Sequence, residues 1–166
     1  MRRAAVITAS DGVAAGVRED ASGAAVAARL GETGYEVTRV LVPDDMDRIG
    51  AAVANAASDH DLVVTTGGTG LTPRDVTPQA TRGAIDYEVP GLAEAMRAAG
   101  RAITPLADLS RGVVGVRGRT LIVNLPGSPK GALESLATIE AVLDHALETL
   151  AGPFDHDRTT PSGGTT

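Results

Sequence analysis

Twice in this chain an apolar run of strand character leads into glycines and then into a helix opened by proline, and this recurrence restricts the fold more than any single residue does. In the first instance Leu62, Val63 and Val64 lead into residues 65–77, TTGGTGLTPRDVT, with Pro78 next. In the second, residues 120–125 pass through Pro126 and Gly127 to Ser128 and Pro129. Proline is favoured in the first turn of a helix, where the missing N–H costs nothing. Short apolar runs alternating with Ala-rich helical stretches predict βαβ units and an α/β chain whose mostly parallel sheet is covered on both faces.

The expected strands are residues 4–9, 35–42, 61–66 and 120–125, and the expected helices 22–32, 46–57, 78–85, 90–103 and one starting after Ser128. Leu133, Leu136, Ile139, Leu143, Leu147 and Leu150 recur at helical spacing, which predicts a face of that last helix turned to the core. Val113, Val114 and Val116, punctuated by Gly112, Gly115 and Gly118, predict a small hairpin before the last strand. Residues 1–152 form one expected domain, and residues 153–166, poor in anything to bury after Phe154, an expected loose tail.

Open parallel sheets bind ligands beyond the carboxyl ends of their strands. Three polar loops fall there: Ser10, Asp11 and Gly12 after the first strand, residues 65–75 after the third, and residues 124–130 after the last. Gly67, Gly68 and Gly70 carry no Cβ, so backbone N–H groups can approach an anion, with Thr66, Thr69 and Thr72 as further donors. Thr77 reads as the N-cap of a helix whose positive end would face the same anion. The loop lacks the Gly-Lys-Ser/Thr ending of a Walker sequence, and Pro73 stands where a dinucleotide fingerprint needs glycine. The same glycines would also serve a plain tight strand-to-helix turn.

Asp75 ends the glycine loop and Asp44 follows Pro43 at the end of the second strand, with Asp45 placed to cap the next helix. Two carboxylates plus phosphate oxygens form a normal ligand set for Mg²⁺, which makes both aspartates candidate metal ligands. Lys130, the only lysine among 15 basic residues, lies in the first turn of a helix, where it opposes the local dipole and anticipates an incoming anion.

The composition excludes several classes. Three aromatic residues and a net charge of -6 leave little for stacking bases or tracking a phosphate backbone, so nucleic acid is not an expected partner. No cysteine is present, which removes disulfides and thiolate chemistry and suits a cytoplasmic location. The apolar run at residues 4–9 is too short for a signal sequence or a membrane span. His60, His145 and His156 show no metal-ligand spacing.

Taken together, VPDD at residues 42–45, TTGGTGLTPRDVTPQAT at 65–81, EVPGLAEAMR at 88–97, LSRGVVGVRG at 109–118 and LIVNLPGSPKG at 121–131 resemble the MogA/MoaB molybdopterin-binding family, from about residue 6 to 151. The resemblance implies a three-layer α/β/α sandwich and a molybdopterin adenylyltransferase, which moves AMP from Mg²⁺-bound ATP to the terminal phosphate of molybdopterin. It further implies a homotrimer or hexamer and a partnership with the molybdate-inserting enzyme of the pathway. The family's catalytic aspartates match Asp44 and Asp75, and its pterin and nucleotide contacts match the TTGGTG loop, Ser110, and Pro126, Gly127, Ser128 and Lys130. A non-catalytic pterin-binding or scaffold protein of MoaB type, a nucleotide pyrophosphatase of the competence-damage-inducible type and a gephyrin-type anchoring module are the competing expectations. With few aromatics, aliphatic walls or Tyr87 would have to flank a pterin ring.

Overall fold

The computed structural model describes residues 1–153, so the rest of the expected tail, with Phe154 and His156, lies outside the described residues. β1 (Arg3–Ala9) is followed by a single helical turn, α1 (Asp11–Ala14), then α2 (Ala21–Glu32), β2 (Glu36–Val42), α3 (Met46–Ala56) and β3 (Leu62–Thr66). After the glycine loop come α4 (Thr77–Ala84), β4 (Tyr87–Glu88), α5 (Pro90–Arg101), a 3-10 helix (Pro105–Leu109), β5 (Val114–Arg117), β6 (Thr120–Leu125) and α6 (Pro129–Ala151).

The six strands form one sheet in the order β2-β1-β3-β6-β5-β4. The first four are mutually parallel, β5 runs antiparallel to β6, and β4 antiparallel to β5, so the sheet is mostly parallel and the expected hairpin is β5–β6. Thr8, Thr66 and Leu125 stand level in the register. The loops leaving β1, β3 and β6 therefore start side by side at one edge.

Alternation along the strands divides the core into two sides. Val6, Val64, Leu121 and Val123 face α2, α5 and α6 through Val26, Leu30, Met96, Leu136 and Ile139, whereas Ile7, Val63 and Ile122 face α3 and α4 through Ile49, Val53, Ala80 and Ala84. Central strands buried on both faces read as continuous apolar runs, which is why LVV and LIV were legible. The result is the α/β/α layering implied by the resemblance.

Ser128 caps α6 by accepting the Gly131 N–H at 3.1 Å, and Asp45 caps α3 by accepting the Arg48 N–H at 2.9 Å, both as expected. Of the α6 stripe, Leu136, Ile139, Leu143 and Leu147 are buried and Leu133 and Leu150 half-buried, Ala132 taking the fully buried place beside Leu133. Three local expectations need correction. Ser10 and Asp11 do not sit in an open loop, because the Ser10 hydroxyl accepts the Val13 N–H and starts α1. Thr77 is not the N-cap of α4: its N–H bonds the Gly68 carbonyl at 3.1 Å, which draws Thr77 into the first turn and leaves Val76 as the cap without a side-chain bond. The helix after Pro90 stops at Arg101, and the chain resumes as a 3-10 turn started by Thr104 and Pro105. Among the described residues no helix is long and apolar enough to cross a membrane.

Candidate functional site

Gly67 is the point where the loops meet. Its φ is +90°, a Cβ there would stand 2.5 Å from the Ala9 carbonyl oxygen, and its N–H donates to the Leu125 carbonyl at 3.2 Å. From the other side, a Cβ at Gly127 would come within 3.3 Å of the Gly67 Cα. The ends of β1 and β6 thus grip the first glycine of the β3 loop, with no room for a side chain.

Around this junction the acidic residues gather on one rim. The Asp11 N–H donates to the Asp44 carboxylate at 3.0 Å, and the Asp44 N–H donates back to the Asp11 carboxylate at 3.0 Å, tying the β1 and β2 loops together. Arg74 then clamps Asp11, with Nε 3.1 Å and Nη2 2.7 Å from Oδ2. The Asp75 Oδ2 accepts the N–H and hydroxyl of Thr72 at 2.9 and 2.8 Å, which closes the tip of the glycine loop. Asp44 and Asp75, expected together from the sequence, do lie within electrostatic reach of each other.

The two rim carboxyls at the β1 and β2 loops are pushed in opposite directions. The Arg74 hydrogen bonds hold Asp11 below the ordinary carboxylate range, whereas burial first, with the Asp11 and Asp75 charges adding to it, pushes Asp44 above that range. Arg74 opposes the rise at Asp44. Arg74→Ala is therefore expected to raise the pKa of both Asp11 and Asp44. Carboxyl ¹³C titration measures this directly, and unchanged values at both positions would refute the clamp.

The backbone of the glycine loop is only partly spent. Gly67 uses its N–H on Leu125, so it leaves the expected cradle, but no group among the described residues accepts from the N–H of Gly68, Thr69 or Gly70. Arg111 braces the loop from behind: its Nε donates to the Gly70 carbonyl at 2.8 Å, its Nη2 to the Asp75 carbonyl at 2.6 Å, and its own N–H to the Thr69 carbonyl at 2.9 Å.

The threonine hydroxyls differ from expectation. Thr66 is fully buried and joins a hydroxyl chain, receiving from Ser22 and donating to Thr8, which in turn donates to Asp20. Its parity on β3 turns the hydroxyl into the protein, so it is not a ligand donor. Thr72 spends its hydroxyl on Asp75, and Thr69 is 7% exposed. Thr77 is buried beside Gly68, and its hydroxyl has no partner among the described residues.

Three of the remaining expected residues border a cavity of about 520 Å³ between α5, the 3-10 helix and α6. Ser110, Pro126 and Ser128 line it, together with Met96, Ile103 and Leu106. Gly127 and Lys130 lie outside its wall; Lys130 is exposed, with its ammonium 3.8 Å from Glu134. Asn124, counted with the polar loop in the sequence, is a buried β6 residue that bonds Thr65, Thr81 and the Val113 N–H. Tyr87 stands exposed on the edge strand β4 and does not line the cavity.

Sequence reasoning passed over Arg74, Arg97 and Arg111 as functional residues. Each lies inside a quoted motif, but its partners lie outside that motif, 13 to 63 residues away, and nothing local marks it. Among the described residues no group of three or more His, Cys, Asp or Glu side chains forms a metal cage.

Residues 5–145 match the family model described as "Probable molybdopterin binding domain". The chain is 37% identical over 154 residues to a molybdopterin adenylyltransferase of Helicobacter pylori strain J99, covering 90% of this chain and 88% of the relative. A solved structure of the molybdopterin biosynthesis enzyme MoaB from Thermus thermophilus is 51% identical, with a TM-score of 0.83 and coverage of 92% of this chain and 98% of that one. The molybdopterin biosynthesis Mog protein from Mycobacterium ulcerans is 42% identical, with a TM-score of 0.86 and coverage of 90% and 99%.

Proposed function

This chain belongs to the MogA/MoaB family of molybdenum cofactor biosynthesis proteins, and from that membership we propose that it is a molybdopterin adenylyltransferase. A terminal phosphate oxygen of molybdopterin attacks the α-phosphorus of ATP, a new P–O bond forms, the bond to the β-phosphate oxygen breaks, and diphosphate leaves. The observation that carries the proposal is the rim that sets Asp44 and Asp75 beside three backbone N–H groups, of Gly68, Thr69 and Gly70, that have no acceptor among the described residues.

The reaction brings two anions together and needs no side-chain nucleophile. Fixed N–H donors and cations aimed at the phosphate oxygens lower the repulsion without reorganising during the step. Holding both substrates in line is worth roughly 7–11 kcal/mol of the barrier in well-oriented systems. The amides of residues 68–70 take phosphate oxygens, Arg111 keeps the loop in shape behind them, and the 520 Å³ cavity beside Ser110 and Ser128 takes the nucleoside of ATP. Lys130, on the first turn of α6, neutralises phosphate charge.

The donor set fits Mg²⁺. Asp44 and Asp75 each use only Oδ2 in hydrogen bonds among the described residues, which leaves one oxygen apiece for a cation shared with substrate phosphates. When bound, the metal would supply charge neutralisation to the phosphates. Ile103, Leu106 and Leu109 are exposed on and beside the 3-10 helix, an apolar surface that suits the proposed homotrimer or hexamer.

Incubating the protein with ATP, Mg²⁺ and molybdopterin is expected to yield adenylylated molybdopterin and diphosphate. Tight pterin binding without transfer would instead establish the non-catalytic MoaB-type reading, which the 51% identity to a MoaB protein keeps in view. Lys130→Ala is expected to weaken ATP binding about tenfold, or roughly 1.4 kcal/mol, and to leave pterin affinity nearly unchanged. Equal losses for both ligands in calorimetry would remove Lys130 from the nucleotide side.

A further inference from the structure

The described residues include four half-buried arginines, and two of them lack a carboxylate partner. Arg2 rests on Asp144 and Arg3 on Asp59. Arg97 instead donates to the carbonyls of Ser110 and Gly112 at 3.4 and 2.9 Å, and Arg111 to the carbonyls of Gly70 and Asp75 and to the Gln79 amide oxygen. Asp108 feels the charge of Arg97 but is already gripped by both Nε and Nη2 of Arg101. Neutral carbonyls orient a guanidinium without cancelling its charge, and a partly desolvated cation without a counter-ion is costly.

Arg97 and Arg111 border the same cavity of about 280 Å³, between α4, β4, the start of α5 and the segment leading into β5. A third guanidinium, Arg82, stands on its wall and pairs with Glu88, Nε to Oε1 2.7 Å. Three cations therefore face a single carboxylate there, in a chain whose net charge is -6. The guanidinium fork matches two oxygens of a phosphate group, which makes arginine the side chain of choice for such oxyanions.

We propose that this arginine-walled cavity binds a phosphate-type oxyanion, either inorganic phosphate or diphosphate, at a place separate from the unspent glycine-loop amides. Arg82 is the adjustable member. It is exposed, and swinging away from Glu88 would present its whole fork to the anion. Arg97 and Arg111, already held by backbone carbonyls, are preorganised for the same ligand. The site does not rest on the adenylyl-transfer reading, since it is argued from charge and cavity alone.

Calorimetry of the whole protein with inorganic phosphate and with diphosphate, for wild type, Arg82→Ala and Glu88→Gln, tests the site. Both substitutions fall on exposed side chains that bond each other. Loss of Arg82 is expected to weaken binding about fivefold or more, and removal of the competing Glu88 carboxylate to tighten it severalfold. Diphosphate binding much tighter than phosphate would assign a two-phosphate ligand, and similar affinities a single phosphate group; either outcome upholds the site. No binding of either anion, or identical affinities in all three proteins, would overturn it, the latter by placing the anion on the glycine loop. Adenylyl transfer is scored by a different assay, so failure of one proposal leaves the other standing.

Discussion

Asp75→Asn is expected to lower kcat for adenylyl transfer by about 10²–10³, the scale of losing one charge-placing group at a reacting phosphate. The folded structure should persist, because the asparagine carbonyl can still accept the Thr72 N–H and hydroxyl that now bond the Asp75 carboxylate at 2.9 and 2.8 Å. The substitution thus removes charge while keeping the cap. Parallel measurement of kcat and Tm separates the two effects. Turnover near wild type would take Asp75 out of the mechanism, and a large fall in Tm would show that its charge serves the loop rather than the phosphate.

The largest stability loss is expected away from the rim, at Asn124. This side chain is 2% exposed, and its amide joins three segments by donating to Thr65 and Thr81 at 2.9 and 3.0 Å and accepting from the Val113 N–H at 3.1 Å. Asn124→Ala leaves the Val113 N–H unpaired inside the protein, at about 1–3 kcal/mol, and opens a small void beside it. A total of roughly 3 kcal/mol would lower Tm by about 6–12 °C in a chain of this length. A shift of under about 2 °C in thermal unfolding would mean that water or neighbouring hydroxyls replace the amide.

These two residues illustrate how differently local and long-range structure are written in a chain. The place of Asp75 at the close of the glycine loop was legible because its bonding partner, Thr72, lies within the same turn. Asn124 looked like part of a polar ligand loop. Its place as the last inward residue but one on a central strand depends on which face of β6 meets α4, and that is set by strand order. Thr66 misled for the same reason, since it leads directly into the glycine loop while its own hydroxyl turns toward Thr8 and Ser22.

The arginines show the limit most clearly. Arg74 meets Asp11 63 residues away, and Arg111 reaches the Asp75 carbonyl 36 residues away, so no window of sequence contains both ends of either contact. The smaller cavity beside Arg111 likewise joins residues 82–97 to residues 110–114 across the edge of the sheet.

What the residues determined unaided were the main strands and helices and some of their ends: apolar period, proline starts, Ser128 and Asp45 as caps, and glycines where the backbone must pass closely. Those are local matters of torsion and hydrogen bonding, settled within a turn or two of chain. Only the tertiary structure decided which hydroxyls face inward, which guanidiniums brace the loop and which lack a counter-charge. Such outcomes depend on strand order and helix packing, where the partners are chosen by proximity in space.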